Sequence, residues 1–392
     1  MPKVFIGIDV SKDSFNCSLI NSELKNLFSK EFSMNSEGFN SFKNIISQYT
    51  DSVIALESTG SYHTNILSFL LSFKKEVCLV NPVLIKRFSN TISLRKTKTD
   101  EIDANIIAKF ICKNIEHISY FSISNFDEVK ALARTRENIS KNIAKTKTHL
   151  KMHLNIVFPE LLQFNVFTDT FLAIIASFPT AENILSAKNS SIQTILDSIK
   201  GRAANISVSI IKELAKKSIG NSSETLAKII QHDVKTLIFF NKQLKDITDD
   251  FIDNINKYKK NDLDILKSIK GISDITACHF LAEIKDIKNF ATKSKLIAFA
   301  GTDPAVRQSG TSLHARGRIS KKGSKSLRRY LYLMASGVMK FNPYFRAYYD
   351  KKREQGIQHR KAMIALVNKL QRTIFALLTK QEFFIMPEFN YL

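Results

Sequence analysis

Over its first 112 residues the chain keeps changing the period of its apolar positions, and that alternation limits the fold more than any other feature. Residues 4–10 and 15–20 read as apolar strands around a turn, 36–48 as a helix, and 52–57 as a short buried strand. A helix over 59–73, a strand over 76–80 and a helix over 100–112 follow, the last with Ile102, Ile106, Ile107 and Phe110 at helical spacing. Strands interleaved with helices predict an α/β domain with one sheet flanked by helices.

Beyond residue 125 the pattern becomes helical. Leu132, Ile139, Ile143, Leu150 and Leu154 are spaced for a long amphipathic helix or coiled coil over 125–157, and 205–260 looks similar. Such helices either pack within one bundle or form arms that pair protomers; the Ser-rich stretch 186–198 reads as a connection. Only 12 Gly and 7 Pro interrupt the 392 residues, which favours helices. At about 100–200 residues per domain the chain holds two or three domains. Cys17, Cys78, Cys112 and Cys278 form no CxxC pair, so they suggest neither a zinc ribbon nor a disulfide framework and read as reduced core residues of a cytoplasmic protein. No apolar run approaches a membrane span of roughly 18 residues. The opening MPKVFIGIDVS does not read as a signal peptide.

The formal charge of +22 calls for a polyanionic partner, nucleic acid first. Residues 1–120 carry 14 basic and 12 acidic side chains, whereas 301–372 carry 17 and 3. Chemistry at one end and grip at the other is the simplest reading of that division.

Four acids carry the expected chemistry. Asp9 ends one strand and Glu57 another, where side chains leaving a sheet meet ligands. Asp100 and Asp103 stand three apart at a helix start and share a face. Taken singly each has a plainer role: Asp9 in the turn DVSKDS, Glu57 beside a helix start, Asp100 as an N-cap with Asp103 favouring the helix dipole. Taken together they would repel unless divalent cations neutralised them, and hard oxygen donors suit Mg²⁺ or Mn²⁺ holding a scissile phosphate.

Residues 266–284 have the form helix, Gly271 turn, helix, which is either helix-hairpin-helix-like, with backbone amides for a phosphate, or an ordinary connection. A Pro/Gly/Ser loop follows, expected to be exposed and mobile, and then a basic stretch. Arg307, Arg316, Arg318, Lys321, Lys322, Lys325, Arg328 and Arg329 could neutralise several phosphates, so binding should weaken steeply with salt. Ser309, in that cationic loop, could attack phosphorus, or could be a simple turn residue; Ser320 and Ser324 read as caps or phosphate-contacting hydroxyls. His63, His279 and His314 lack zinc-site spacing and read as packing or polar contacts. Phe341, Tyr344, Phe345, Tyr348 and Tyr349 could stack on bases, but at helical spacing they read first as core.

The segments IGIDVSKDSF, ALESTGSYH, NPVLIKRFSN, KTDEIDANIIAKF, GISDITA, LIAFAGTDPAVRQSG and GRISKKGSKSLRRYL occur in that order. So arranged, they resemble the DEDD-motif transposases of bacterial insertion sequences, similar to pilin-gene invertases and bridge-RNA-guided serine recombinases. The resemblance implies a RuvC-like, RNase H-like domain over 1–120 and a helical, coiled-coil dimerisation region over 121–262. It implies a mainly α-helical transposase domain over 263–392, holding the helix-hairpin-helix-like element, a catalytic serine and the basic surface. By motif the DEDD acids fall on Asp9, Glu57, Asp100 and Asp103, and the serine on Ser309, with Thr311 and Ser312 as neighbouring hydroxyls. It further implies donor and target DNA, a noncoding guide RNA, and homo-oligomers, dimer or tetramer, with composite sites. This long 160–265 segment is more than the family leads one to expect. Three functions compete: a guided recombinase working through phosphoserine, a RuvC-like nuclease using water, and a non-catalytic nucleic-acid-binding protein.

Overall fold

A computed structural model describes residues 4–57, 62–73, 75–92, 100–117, 120, 126–198, 206–304, 308–309, 312–313 and 319–387. The chain divides into two compact units, Met1–Ser124 and Asn125–Leu392.

In the first unit strands β1 (Val4–Val10), β2 (Ser14–Asn21) and β3 (Asn26–Ser33) form an antiparallel meander. Helix α1 (Ser36–Ile46) then crosses to β4 (Ser52–Glu57), and α2 (His63–Ser72) to β5 (Val77–Val80). β4 lies parallel to β1 and β5 parallel to β4, giving a mixed sheet of order β3-β2-β1-β4-β5. Helices α3 (Pro82–Ile92) and α4 (Asp100–Lys113) complete the unit. Side chains alternate across a strand. Accordingly Val4, Ile6, Ile8, Ile54 and Leu56 share one core with Phe42 of α1 and Ile66 of α2. Phe5, Val53 and Ala55 share the other with Ile85 of α3 and Ile107 of α4. The sheet is therefore covered on both faces. Strand β3 escapes the sequence pattern because only Phe32 of its residues is buried; it is the polar outer edge of the meander.

The second unit is helical: α5 (Phe126–Val157), α6 (Asp169–Ser177), α7 (Ala181–Ser186), α8 (Asn189–Ser198), α9 (Val208–Lys216), α10 (Glu224–Lys267), α11 (Asp274–Ile284), α12 (Lys293–Ala300), then the short pair β6 (Gln308–Ser309) and β7 (Ser312–Leu313), then α13 (Lys325–Phe341), α14 (Pro343–Glu354) and α15 (His359–Lys380). The expected Ser-rich connection contains a helix instead: α8 buries Ile192 and packs Ile195 and Leu196, a spacing of three and four that its serines obscured. Helices α5 and α10 tie together two apolar cores. Leu150 and Leu154 near the end of α5 join Ile230 and Val234 near the start of α10 in one core. Val129 and Ala133 near the start of α5 join Phe251 and Ile255 farther along α10 in the other, so the two helices run antiparallel. α10 departs from helical geometry at Lys259, whose ammonium meets Asp286 at 2.7 Å and Asp262 at 3.4 Å. These long helices pack within the chain's own bundle.

The Gly271 turn joins α10 to α11 as expected. Its φ of +104° is open to glycine, and a Cβ there would stand 2.6 Å from the Gly337 carbonyl of α13. Phe345 is fully buried and Tyr344, Tyr348 and Tyr349 pack on the same core, whereas Phe341 is exposed. α15 is the one helix among the described residues long and apolar enough to cross a membrane; here Met363, Leu366, Leu370 and Ile374 bury it in that core. Cys17, Cys78 and Cys278 are buried free thiols and Cys112 is half-buried.

Gly7 sets how closely α4 lies on the sheet. A Cβ at that position would stand 2.1 Å from the Ala104 carbonyl oxygen and 2.4 Å from the Ala108 nitrogen. Gly7→Ala should therefore destabilise the first unit by about 1–3 kcal/mol, the usual cost of overpacking. A urea titration followed by a probe in this unit should show the lowered midpoint.

Candidate functional site

Odd-numbered residues of β1 and β4 face α4, since Phe5, Val53 and Ala55 lie in the core that α4 covers. Asp9 and Glu57 belong to that same face. The parallel register pairs Ile8 with Leu56, so the two acids stand next in line on neighbouring strands, at their carboxyl ends. The direction of α4 follows from two contacts. Asn105 Nδ2 donates to Ser18 Oγ at 3.0 Å, and Ser18 is the register partner of Gly7. Cys112 Sγ lies 3.8 Å from the Ser22 carbonyl oxygen, just past the partner of Val4. Helix α4 thus runs antiparallel to β1, and its first turn, with Asp100 and Asp103, comes to the strand end that holds Asp9.

Asp9, Glu57 and Asp103 are all half-buried. Asp100 is placed by its backbone only. Among the described residues no three His, Cys, Asp or Glu side chains gather closely enough to hold a metal ion. Three described hard-oxygen donors from β1, β4 and α4 do share one end of one sheet face, and that donor chemistry fits Mg²⁺ or Mn²⁺. The unit brings these acids to a common edge without closing a cage from the described side chains alone.

In the second unit the segment with Ser309 is the antiparallel pair of a β-hairpin: Gln308 pairs with Leu313 and Ser309 with Ser312. Ser309 and Ser312 are placed by backbone only. Arg307, Thr311, His314, Arg316 and Arg318 lie outside the described residues. The root of the hairpin is pinned from several sides. Pro304 bridges Ile319, Ser320 N–H donates to the Asp303 carbonyl at 2.8 Å, and Ser320 Oγ donates to Asp303 Oδ1 at 2.5 Å. Arg328 Nη1 donates to the Ala300 carbonyl at 2.9 Å, and from α15 Gln371 Nε2 donates to Thr302 Oγ1 at 2.8 Å. Lys321, Lys322 and Lys325 are exposed beside this root. Ser324 caps α13 through the Leu327 N–H and also donates its hydroxyl to Glu283 Oε2 at 2.8 Å.

Sequence reasoning missed what holds that cap. Glu283 of α11 and Glu137 of α5 are buried carboxylates among cations. Arg134 Nη2 lies 2.5 Å from Glu283 Oε1 and its Nη1 3.9 Å from Glu137, while Arg329 Nη1 donates to Glu137 Oε1 at 2.9 Å. Lys141 Nζ stands 3.2 Å from the same Glu137 oxygen, and Ser326 Oγ donates to its other oxygen at 3.3 Å. Burial alone would raise the Glu137 carboxyl, but Lys141 and Arg329 outweigh it and hold it below the usual glutamate range. Glu137 and Glu283 are far apart in sequence, so the pattern gave no hint. His279, beside them, stacks on Tyr330 at 3.6 Å between centroids, and its Nε2 is 3.5 Å from Arg136 Nη1. It is a packed core histidine, as expected.

An α/β unit with carboxylates at the carboxyl ends of its strands, in one chain with a helical unit rich in cations, has the makeup of an enzyme acting on polynucleotides. A DEDD transposase family model matches residues 6–159, and that of the IS116/IS110/IS902 transposase family matches residues 263–350. The chain belongs to these DEDD-type insertion-sequence transposases, enzymes of DNA strand transfer. It is 23% identical to the pilin gene-inverting protein of Moraxella bovis over 96% of each chain, and 22% identical to the mini-circle putative transposase for IS117 of Streptomyces coelicolor, over 97% of this chain and 95% of that one. Thermus thermophilus RuvC in complex with a Holliday junction substrate aligns with 30% of this chain and 99% of its own, at 11% identity and a TM-score of 0.25.

Burial and the Arg136 guanidinium push the His279 imidazole down to about 3. The unfolded chain takes up a proton near the ordinary histidine value of about 6.5 that the folded protein refuses, so stability is lost as pH falls from about 6.5 toward 3. His279→Phe should flatten that part of the stability profile. Urea midpoints of the parent and variant at pH 7.5 and 5 check it.

Proposed function

We propose that the chain is a divalent-metal-dependent DNA recombinase that cuts and rejoins strands through a phosphoserine link at Ser309. In this reading Asp9, Glu57, Asp100 and Asp103 hold Mg²⁺ or Mn²⁺, which when bound orients the scissile phosphate and offsets charge developing on its oxygens. The observation that carries it is the antiparallel run of α4 on β1, which delivers two acids of a helix start to the strand ends bearing the other two. Ser309 Oγ gives up its proton and attacks phosphorus; the phosphorus–oxygen bond to the deoxyribose breaks, and that oxygen leaves as a hydroxyl. A hydroxyl of another strand then attacks the phosphoserine and restores Ser309, so the bond count is conserved.

The parts of the chain divide the labour. Residues 1–120 form a RuvC-like, RNase H-like catalytic domain, 121–262 a dimerisation region with coiled-coil character, and 263–392 the transposase domain with the serine. Arg307, Arg316, Arg318, Lys321, Lys322, Lys325, Arg328 and Arg329 supply the nucleic-acid surface; Arg328 and Arg329 also brace the fold through Ala300 and Glu137. A noncoding guide RNA selects donor and target DNA, and a cytoplasmic homo-oligomer assembles the acids of one protomer with the serine of another. The RuvC-like nuclease using water stands as the second reading, because half-buried strand-end acids would serve it equally.

Product ends separate the two. With the protein purified together with RNA transcribed from its flanking DNA, and with supercoiled donor and target DNA and Mg²⁺, a covalent protein–DNA adduct should form, and Ser309→Ala should abolish it. Asp9→Asn should lower strand cleavage by about 100-fold or more, as loss of several kcal/mol of transition-state stabilisation requires. Free hydrolysed ends at parent rate from Ser309→Ala would instead establish the nuclease.

A further inference from the structure

Four cations of the second unit are fixed in place by two carboxylates that face inward. Glu283 and Glu137 have side chains only 2% and 10% exposed, whereas those of Arg134 and Arg329 are 45% and 48% exposed. Lys130 stands 3.9 Å from Glu283, and Lys141 3.2 Å from Glu137. Lys130, Arg134, Glu137 and Lys141 recur at spacings of four, three and four, so they form one stripe along α5. Arg329 reaches the same stripe from α13.

A surface ion pair normally costs side-chain entropy for little return. Here the carboxylates are out of solvent and the guanidinium groups are half in it, so the cations are oriented in advance of any ligand. Each guanidinium has five N–H donors in a planar fork that suits phosphate. Four cations around two carboxylates leave an excess positive charge on this face.

The position of this face decides what it holds. Glu283 also accepts the hydroxyl of Ser324, the cap that ends the segment carrying the Ser309 hairpin. From Pro304, at the hairpin root, to Ser309 the chain spans at most about 18 Å. One turn of duplex DNA is about 34 Å long, so backbone within roughly half a turn of the attacked phosphate comes back to the root.

We propose that Arg134 and Arg329, braced by Glu283 and Glu137, form a clamp on the phosphodiester backbone of duplex DNA flanking the strand that Ser309 attacks. This rests on the recombinase reading for the identity of the polynucleotide. The clamp reads no bases; it fixes the register of the duplex against the hairpin.

The test is duplex binding by the full chain across a range of salt concentrations, in a Ser309→Ala background so that no covalent product contributes. A labelled 30-base-pair duplex serves as probe, with a structured RNA hairpin as a second arm. Arg329→Gln leaves Glu137 its Lys141 partner, and Arg134→Gln is combined with Glu283→Gln to avoid a buried unpaired charge. Together they should make the slope of log K against log salt shallower by about 0.9 for each phosphate no longer neutralised, equally on duplexes of unrelated sequence. Arg134→Lys with Arg329→Lys keeps the charges and ion pairs; it should retain the slope and bind several-fold more weakly, because the fork is gone. An unchanged slope in the glutamine variants overturns the clamp, as does unchanged affinity in the lysine variants or an effect confined to RNA. Absence of a serine adduct in the parent protein would remove the recombinase reading while leaving these binding results intact.

Discussion

The first unit depends on a contact between two backbones. Gly7 in the central strand lets α4 lie directly on β1, closer than any side chain would allow. Because α4 runs against the strand, its first turn arrives where β1 and β4 end. A carboxylate at a strand end and one at a helix start are ordinary features separately. Their shared location comes from the depth and direction of that one helix, and a shift of α4 outward would carry Asp103 away from Asp9 and Glu57 together.

The second unit rests on a different device. Its two apolar cores are joined by the antiparallel pair α5 and α10, and the interface with α11 and α13 contains buried carboxylates. Such groups are costly unless paired. Glu283 and Glu137 are paired with arginines of α5 and α13, so they connect three helices at the base of the hairpin while keeping cations partly in solvent. Rigidity and positive charge are thereby supplied at the same place. The hairpin root adds further restraint, with Asp303, Thr302 and Ala300 each bonded to a different partner.

Much of this was legible because local pattern and final structure agree. β1 and β4 are buried along both faces, as continuous apolar runs suggest, and α5 buries Ile143, Leu150 and Leu154 of its expected stripe. Of the face expected for α4 only Ile107 is buried, beside Ala104, Ala108 and Ile111, while Ile102 is exposed, because the close approach to Gly7 puts the small residues against the sheet. The Gly271 turn follows from one residue that alone tolerates its conformation there. Strand β3 was illegible because an edge strand with one buried side chain has no apolar alternation to read. Helix α8 was hidden by serines around Ile192, Ile195 and Leu196. The four acids could be chosen by position and by resemblance, but that Asp9, Glu57 and the first turn of α4 come to one end of the same sheet face required the register of β1 with β4 and the polarity of α4. Of the Glu137 and Glu283 cluster only the α5 stripe of Lys130, Arg134, Glu137 and Lys141 has a local spacing; Glu283 and Arg329 lie on other helices, and tertiary packing alone joins them to it.

The metal site is the claim on which the rest turns, and Mn²⁺ binding to the full chain, followed by electron paramagnetic resonance, addresses it without requiring DNA or turnover. The parent protein should bind Mn²⁺ in competition with Mg²⁺, Asp103→Asn should weaken that binding at least tenfold, and Gly7→Ala, which removes no carboxylate but pushes α4 and its acids outward, should weaken it too. Equal Mn²⁺ affinity in all three proteins would contradict the shared site.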